Sequence, residues 1–332
     1  MQVFEQRAKA DKQNTLDPTA YSYTIVIPTL NARKYLPELL PKLSPAKAIF
    51  IDSSSNDGTA SYIRSAGFTV FSIERAAFNH GKTRNLCLDL CTSDFVVFMT
   101  QDARPLNDDL FTQLLFPFAD KNVAATYARQ IPRGNAAILE RLEREFKYPN
   151  LSLNRSNPGE YLPPLAPNFL SNSCAAYRMS IFRDLGGFIE TEIMGEDAIY
   201  ALKAKSSGYR IKYVSDAVVI HSHSYSPIQR LQRYFDTGVY RSRSSNAHRL
   251  TAKKDMNHGL IYVRYILLRL LSEKHFRHIA LFLLNSLVDF IGYSLGRQNH
   301  LLPISWRKKL SMNSAYWDQY KNAFESERNI SS

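Results

Sequence analysis

The first hundred residues alternate short, almost wholly apolar runs with segments whose apolar positions recur at helical spacing. Tyr23–Pro28 (YTIVIP), Ala48–Asp52 (AIFID), Thr69–Ile73 and Phe95–Thr100 (FVVFMT) are rich in β-branched and aromatic residues and predict four strands, the first stopped by Pro28. Lys34–Leu43, Thr59–Ala66 and Thr83–Cys91 fall between them as predicted helices, the second ended by Gly67. Strands apolar on both faces, separated by helices, predict an α/β domain with a mostly parallel sheet covered on both sides.

The pattern then loosens. A helix is expected around Ala136–Phe146, followed by a Pro- and Asn-rich stretch from Pro149 to Asn168. A structureless loop of about twenty residues inside a compact domain is expected to be functional. Further on come Cys174–Arg178, a turn at Gly186-Gly187, a helix from about Glu196 to Ser207, and a strand pair near Tyr209–His221. Ser226-Pro227-Ile228-Gln229 has the form of a capping box with Pro at the first helical position. In the helix it opens, Ile228, Leu231 and Phe235 are expected on one face, with Arg230, Arg233 and Arg241 elsewhere. The chain shows no internal repeat.

The chain has 332 residues, 45% hydrophobic and 22% charged, which excludes wholesale disorder. Three cysteines (Cys87, Cys91, Cys174) make neither a disulfide framework nor, without further ligands, a zinc site. The start carries no apolar signal core, and no run reaches the ~18–20 uncharged apolar residues of a membrane span. Ile279–Gly296 comes nearest and is broken by Asn285 and Asp289. A cytoplasmic protein is therefore expected.

Charge divides the chain. The net charge is +12, and residues 228–332 hold 17 Lys/Arg against 7 Asp/Glu, whereas residues 1–227 hold 25 against 23. We accordingly expect an extension over 1–22, a catalytic domain over 23–227 and a cationic, mainly helical region over 228–332. A cationic region seeks an anionic partner. Its basic residues are interleaved with long apolar runs, which disfavours nucleic acid.

In open α/β sheets, ligands sit beyond the carboxyl ends of the strands. That rule selects Pro28-Thr29-Leu30-Asn31, Asp52 to Thr59, Arg75 to Asn85, and Thr100-Gln101-Asp102-Ala103. Acidic and amide residues there, with a basic segment after the third strand, suit a nucleotide carrying a metal-bridged diphosphate. No GxGxxG follows the first strand, and His80-Gly81-Lys82-Thr83 lacks the first P-loop glycine, where Ala76 stands, so neither of those nucleotide sites applies. A nucleotidyltransferase would show a Gly- and Arg-rich loop after the first strand, and none is there.

Taken together, Pro28-Thr29-Leu30-Asn31, Ile51-Asp52-Ser53-Ser54-Ser55-Asn56-Asp57-Gly58-Thr59, Phe78-Asn79-His80-Gly81-x-x-Arg84-Asn85, Thr100-Gln101-Asp102-Ala103 and Gly195-Glu196-Asp197 resemble the family 2 inverting glycosyltransferases of the GT-A fold. The resemblance runs in order from about Tyr23 to Tyr225. The Asn-His-Gly-x-x-Arg-Asn and Thr-Gln-Asp-Ala forms resemble the bacterial rhamnosyltransferase branch, which builds surface polysaccharide from dTDP-rhamnose.

The resemblance implies that Pro28, Asn31 and Gln101 line the donor pocket. Asp52 accepts from the N3–H of uracil or thymine, or else holds a local turn, while Asp57 caps the helix after it. Arg84 points to the diphosphate or to neighbouring carboxylates, or is a solvated helix residue. His80 lies beside the sugar, or makes only a loop hydrogen bond. Asp102 stands at the last position of the Asp-x-Asp signature, holding Mg²⁺ or Mn²⁺ or else hydrogen-bonding the sugar. The signature's first aspartate is Thr100 here, which puts metal dependence in question. His221 and His223 share a strand face and would complete the metal shell or touch a phosphate, or else are plain hydrogen-bonding residues. Asp197 is the implied general base with Glu196 the alternate, against the reading of ordinary first-turn acids. Asn172, Ser173 and Arg178 are implied in the acceptor wall.

For Leu260–Leu302 two readings stand: a helical hairpin packed on the catalytic domain or on a second subunit of a homo-oligomer, or a surface lying in an anionic membrane interface. The expected activity is inverting sugar transfer to a glycan or polyprenyl-diphosphate-linked oligosaccharide, peripheral on the inner membrane face. The competing class is a nucleotide-sugar or anionic-lipid binding protein of the same fold without turnover.

Overall fold

A computed structural model describes residues 21–151, 169–223, 225–243 and 252–319, with side chains at 252–258 and 319 left aside. The expected extension and most of the Pro- and Asn-rich stretch, residues 152–168, lie outside the described residues.

Four runs of the predicted kind form the parallel half of one sheet: β1 (Tyr23–Thr29), β2 (Ala48–Asp52), β3 (Thr69–Ser72) and β4 (Phe95–Met99). β5 (Arg104–Pro105), β6 (Val123–Ile131), β7 (Cys174–Arg178) and β8 (Arg210–Ile220) complete eight strands in the order β3-β2-β1-β4-β7-β6-β8-β5. β7 runs antiparallel to both β4 and β6, so the segment entering β7 lies at the same rim as the carboxyl end of β4. The sheet is thus mixed. Its two faces are buried in separate cores, one around Ile25, Phe50, Val97 and Leu114, the other around Val26, Phe98, Tyr177 and Phe182.

Several elements depart from the sequence pattern for local reasons. β1 continues through Pro28 to Thr29, because its pairing with β4 ends at Val26 opposite Phe98 and the missing N–H lies beyond that ladder. The Lys34–Leu43 helix is only a turn, Leu36–Leu39, followed by a 3₁₀ turn at Leu40–Lys42, with prolines 37 and 41 each opening a turn. The pattern at Thr59–Ala66 gives α1 (Thr59–Ser65). Thr83–Cys91 splits into α2 (His80–Asn85) and a turn at Cys87–Leu90, the first starting early because Asn79 caps it. The expected strand pair at Tyr209–His221 is the single strand β8, whose register against β6 shifts between Ala128 and Arg129.

The remaining helices that matter here are α3 (Ile138–Lys147), α4 (Glu196–Ser206), α5 (Pro227–Arg243), α6 (Ala252–Ser272) and α7 (Phe276–Arg297). The capping box is present: Ser226 N–H donates to Gln229 Oε1 at 2.9 Å and Gln229 N–H to Ser226 Oγ at 3.3 Å. Phe235 is buried as expected, but Ile228 stands 71% exposed at the first turn, where no partner element covers it.

α5 and α7 pack with their backbones close. A Cβ on Gly296 would meet the Phe235 carbonyl oxygen at 2.0 Å, and one on Gly292 the Leu231 carbonyl oxygen at 2.4 Å. The Gly-x-x-x-Gly spacing of α7 therefore serves an intramolecular crossing. Two further cores tie the helices to the sheet domain. Phe235, Val239 and Trp317 pack with Ile193, and Leu142 and Phe146 of α3 pack with Ile266, Leu270 and Phe282.

α7 carries the Ile279–Gly296 run. Among the described residues it is one helix long and apolar enough to cross a membrane by length and composition, with mean hydropathy 1.6. Its interrupting Asp289 is held by Arg230 of α5, through Nε at 3.0 Å and through Nη2. Phe276, Leu283, Leu284, Leu287, Phe290 and Ile291 remain exposed, at the i, i+3, i+4 spacing of one face.

Candidate active site

Three strand ends supply the site. Asp52 ends β2, Gln101 and Asp102 follow β4, and Asn172 and Ser173 precede β7. Asn172 connects them to the acidic pair at the start of α4.

The acidic pair is presented by Gly195, which has φ +81° and no room for a side chain, since a Cβ would meet the Tyr240 ring at 2.8 Å. From that turn the two carboxylates diverge. Glu196 is buried and accepts from Asn172 Nδ2 at 2.9 Å, while its Oε1 lies 3.3 Å from Arg84 Nη1. Burial opposes its charge, yet Arg84 and then His80 keep it below the ordinary carboxylate range. Asp197 is half-buried and takes only backbone donors, Ala198 N–H at 2.8 Å and Asn172 N–H at 3.2 Å. Burial, reinforced by the charge of Glu196, pushes its carboxyl up to about 7. Asn172 is itself oriented by Tyr177, whose hydroxyl donates to Asn172 Oδ1 at 2.6 Å.

The Asn-His-Gly-x-x-Arg-Asn segment is the bracket that holds this pair. Asn79 Oδ1 caps α2 by accepting from Gly81 and Lys82, and its Nδ2 donates to the Glu192 carbonyl at 3.1 Å. Gly81 is needed because a Cβ there would meet the Ile189 carbonyl oxygen at 2.0 Å. Asn85 exchanges bonds with the Phe188 backbone in both directions. Arg84, 4% exposed, turns inward to Glu196 and the His80 carbonyl, so of its expected roles the structure places it on a neighbouring carboxylate. His80 is half-buried, with its ring edge-on to Phe78. Burial holds its imidazole neutral, against the pull of Glu196.

Asp102, His221 and His223 form a second cluster, with one ligand atom from each lying within 4.8 Å of the others. His221 Nε2 is 3.4 Å from Asp102 Oδ1 and His223 Nδ1 is 3.5 Å from Asp102 Oδ2. The other ring nitrogen of His221 is settled by Gln130, whose Oε1 lies 2.7 Å from Nδ1. An amide oxygen only accepts, so Nδ1 carries the proton and Nε2 presents a lone pair toward Asp102. That Nε2 is buried and has no hydrogen-bond partner. Gln130 is held in turn by Arg144 on Oε1 and by Ser171 Oγ, which accepts from its Nε2 at 2.9 Å. Burial depresses both imidazoles, His223 to about 3. An ionised carboxylate and two neutral imidazoles fit a divalent cation, and an orphaned buried Nε2 is what such an ion would satisfy. The fit does not use Thr100.

The two clusters share one network. Asp197 and Glu196 bind Asn172; Ser173, the next residue, accepts the Thr100 N–H at 3.2 Å through its carbonyl; Ser171 reaches Gln130 and so His221. The structure thus brings Asp102, His221, His223, Asn172, Ser173, Glu196 and Asp197 together.

Other expected residues stand differently. Asp52 is 2% exposed and accepts from Thr29 Oγ1, Ser55 Oγ and Ser55 N–H, the bonds of a local turn. Asn31, at φ +49°, closes the facing turn by accepting from Asn56 N–H at 3.1 Å, and Pro28 is half-buried in β1. Gln101 is spent on both backbone groups of Leu30, clamping β1 to β4. Asp57 caps α1 as expected, accepting from Thr59 N–H at 3.0 Å. Arg178 is a correction. It pairs in register with Phe95, at the opposite end of β4 from Asp102, and donates to the carbonyls of Phe118, Asp120 and Val123. It holds a turn and cannot form an acceptor wall.

Two residues that touch the site carry no sequence signal for it. Gln130 sits mid-strand with no motif around it. Arg233 was set aside as a helix residue facing elsewhere, yet its guanidinium lies 5.5 Å from the Tyr225 ring, which stacks on His223 at 5.2 Å.

Residues 24–186 match the family described as Glycosyl transferase family 2. The chain is 36% identical over 313 residues to the O-antigen chain rhamnosyltransferase RfbN of Salmonella typhimurium, covering 91% of this chain and 98% of that protein. It is 37% identical to the O-antigen chain rhamnosyltransferase WbaN of Salmonella anatum, over 92% and 99%. Among solved structures it resembles the mannosyltransferase PcManGT of Pyrobaculum calidifontis, in complex with GDP-Man and Mn²⁺, at TM-score 0.58 and 17% identity over 85% and 89% of the two chains. That last likeness is one of fold.

Proposed function

This chain belongs to glycosyl transferase family 2 and is a nucleotide-sugar-dependent glycosyltransferase of polysaccharide biosynthesis, and from that premise we propose that it moves rhamnose from dTDP-rhamnose, with inversion, to a hydroxyl of a polyprenyl-diphosphate-linked oligosaccharide. The observation that carries the mechanism is the division of labour between the adjacent carboxylates. Glu196 is locked to Arg84 and Asn172, whereas Asp197 keeps lone pairs free and a proton affinity poised near neutrality.

In this reading Asp197 takes the proton of the acceptor hydroxyl as its oxygen bonds to the anomeric carbon. The bond from that carbon to the nucleoside diphosphate breaks on the opposite face, and the diphosphate leaves with the electron pair. Asp102, His221 and His223 would hold a Mg²⁺ or Mn²⁺ ion. Such an ion supplies positive charge to the leaving diphosphate. Asp102 and the histidines supply ligands that are already in the required protonation states, and Gln130 fixes the His221 tautomer. Pro28, Asn31 and Asp52 shape the base end of the donor pocket; Asp52 keeps one accepting position on Oδ2 for the N3–H of thymine or uracil. His80 lies toward the sugar, and Asn172 and Ser173 toward the acceptor.

Residues 23–227 act as the catalytic domain and 228–332 as its cationic companion, resting at the inner membrane face. The exposed apolar face of α7, whose first turn carries the exposed Arg277, supports an in-plane attachment to anionic lipid. The Asp289–Arg230 pair and the glycine crossing keep the opposite face of α7 on the protein.

A thermal-shift panel of nucleoside diphosphates with and without Mg²⁺ or Mn²⁺ tests the donor. Stabilisation by dTDP or UDP only with metal is expected, with GDP and CDP inactive; stabilisation by GDP alone contradicts the donor assignment.

A further inference from the structure

A cleft of about 350 Å³ opens between α3, α5 and α7, beginning at His223 and Tyr225 and ending at His278, Leu281 and Asn285. Such a volume is that of an ordinary ligand pocket. Of the candidate metal cluster, His223 lines it. Its middle carries Arg144, Lys147, Arg230 and Arg233 against Glu140 and Glu143. Lys147 is paired with Glu143 and Arg230 with Asp289. Arg233 has no hydrogen-bond or ion-pair partner among the described residues and lies only over the Tyr225 ring. At the far end the buried Nδ1 of His278 is unpartnered, and Leu281 leads onto the exposed apolar face of α7, where Leu284 is 57% and Phe290 67% exposed.

A sugar carried on a polyprenyl diphosphate presents three chemistries in a fixed order: a hydroxyl, two phosphates and an apolar chain. The cleft offers a complement to each, from His223 of the catalytic cluster through Arg233, the one lining cation without a hydrogen-bond or ion-pair partner among the described residues, to an apolar helix face. We propose that this cleft is the acceptor's diphosphate site, with Arg233 as its principal anion contact and the first isoprene units laid against Leu281 and the outer face of α7. Arginine suits the task because its planar donors bind phosphate oxygens in pairs. The inference rests on the lipid-linked acceptor reading given above.

The test keeps the donor site occupied. Full-length protein saturated with dTDP and Mg²⁺ is titrated with farnesyl diphosphate, inorganic pyrophosphate, farnesol and dioctanoyl phosphatidylglycerol. Farnesyl diphosphate is expected to bind at least tenfold more tightly than the other three. Arg233→Gln is expected to weaken it about tenfold while leaving dTDP affinity unchanged, and Leu281→Ser to weaken it too. The proposal is overturned if dTDP excludes farnesyl diphosphate, if Arg233→Gln weakens dTDP instead, or if phosphatidylglycerol binds as well. Absence of dTDP binding under any metal condition would defeat the donor reading and this inference with it. Binding of dTDP without farnesyl diphosphate would defeat the cleft alone.

Discussion

Asp197 and Glu196 begin the same helix turn, and in the proposed mechanism their surroundings make one a base and the other a strut. Asp197 must be charged to accept a proton, and its carboxyl charges only as pH rises through about 7. We therefore expect kcat/KM to climb across that range and Asp197→Asn to lower kcat by at least a hundredfold, as loss of a general base does, in a transfer assay. The same raised proton affinity has a cost in stability. A carboxyl whose folded-state affinity exceeds its ordinary value stabilises fully below about pH 4 and loses that contribution as pH rises through 7. Asp197→Asn should therefore be more stable than wild type at pH 8, by on the order of 2 kcal/mol, and show no such gain at pH 4 in urea unfolding. At the second cluster, Gln130→Leu removes the acceptor that fixes the His221 tautomer. Metal affinity, measured by titrating Mn²⁺ with dTDP present, should fall about 10–100-fold; an unchanged affinity would show that His221 is no ligand.

The helices and strands were legible to the extent that their causes are local. β1 to β4 follow from β-branched runs, the α5 start from Ser226, Pro227 and Gln229, and the Gly186-Gly187 turn from two left-handed glycines. What depended on distant partners was not legible. Nothing near Gln130 announces His221, ninety-one residues on, and nothing near Arg178 announces its carbonyl partners at Phe118 and Asp120. The resemblance leaves Arg84 between the diphosphate and neighbouring carboxylates, because only the fold shows that Asn79, Gly81 and Asn85 grip the loop leading to Asp197. Likewise Gly292 and Gly296 matter through α5. Gly296→Ala should destabilise the protein by about 2–3 kcal/mol in urea unfolding, as overpacking does, because the Phe235 carbonyl cannot yield without moving a helix. A change under about 0.5 kcal/mol would mean the crossing is loose.

At the scale of the molecule, the proposed function gives the chemistry to a nearly neutral sheet domain, beside which a cationic helical flank presents an apolar face. Together they would hold a soluble donor and a lipid-borne acceptor at one rim. Flotation with anionic vesicles should recover the protein, with less recovered in high salt and least for a Leu284→Asp, Leu287→Asp double variant. Failure to float on anionic or neutral vesicles would remove the membrane attachment while leaving the catalytic rim intact. The rim is tested most directly by the pH dependence of sugar transfer in wild type and Asp197→Asn, with dTDP affinity measured alongside. The account predicts an acid limb centred near pH 7 in the wild type and a variant that binds dTDP normally but transfers almost nothing at any pH. A variant that transfers at the wild-type rate, or keeps the same limb, would contradict it.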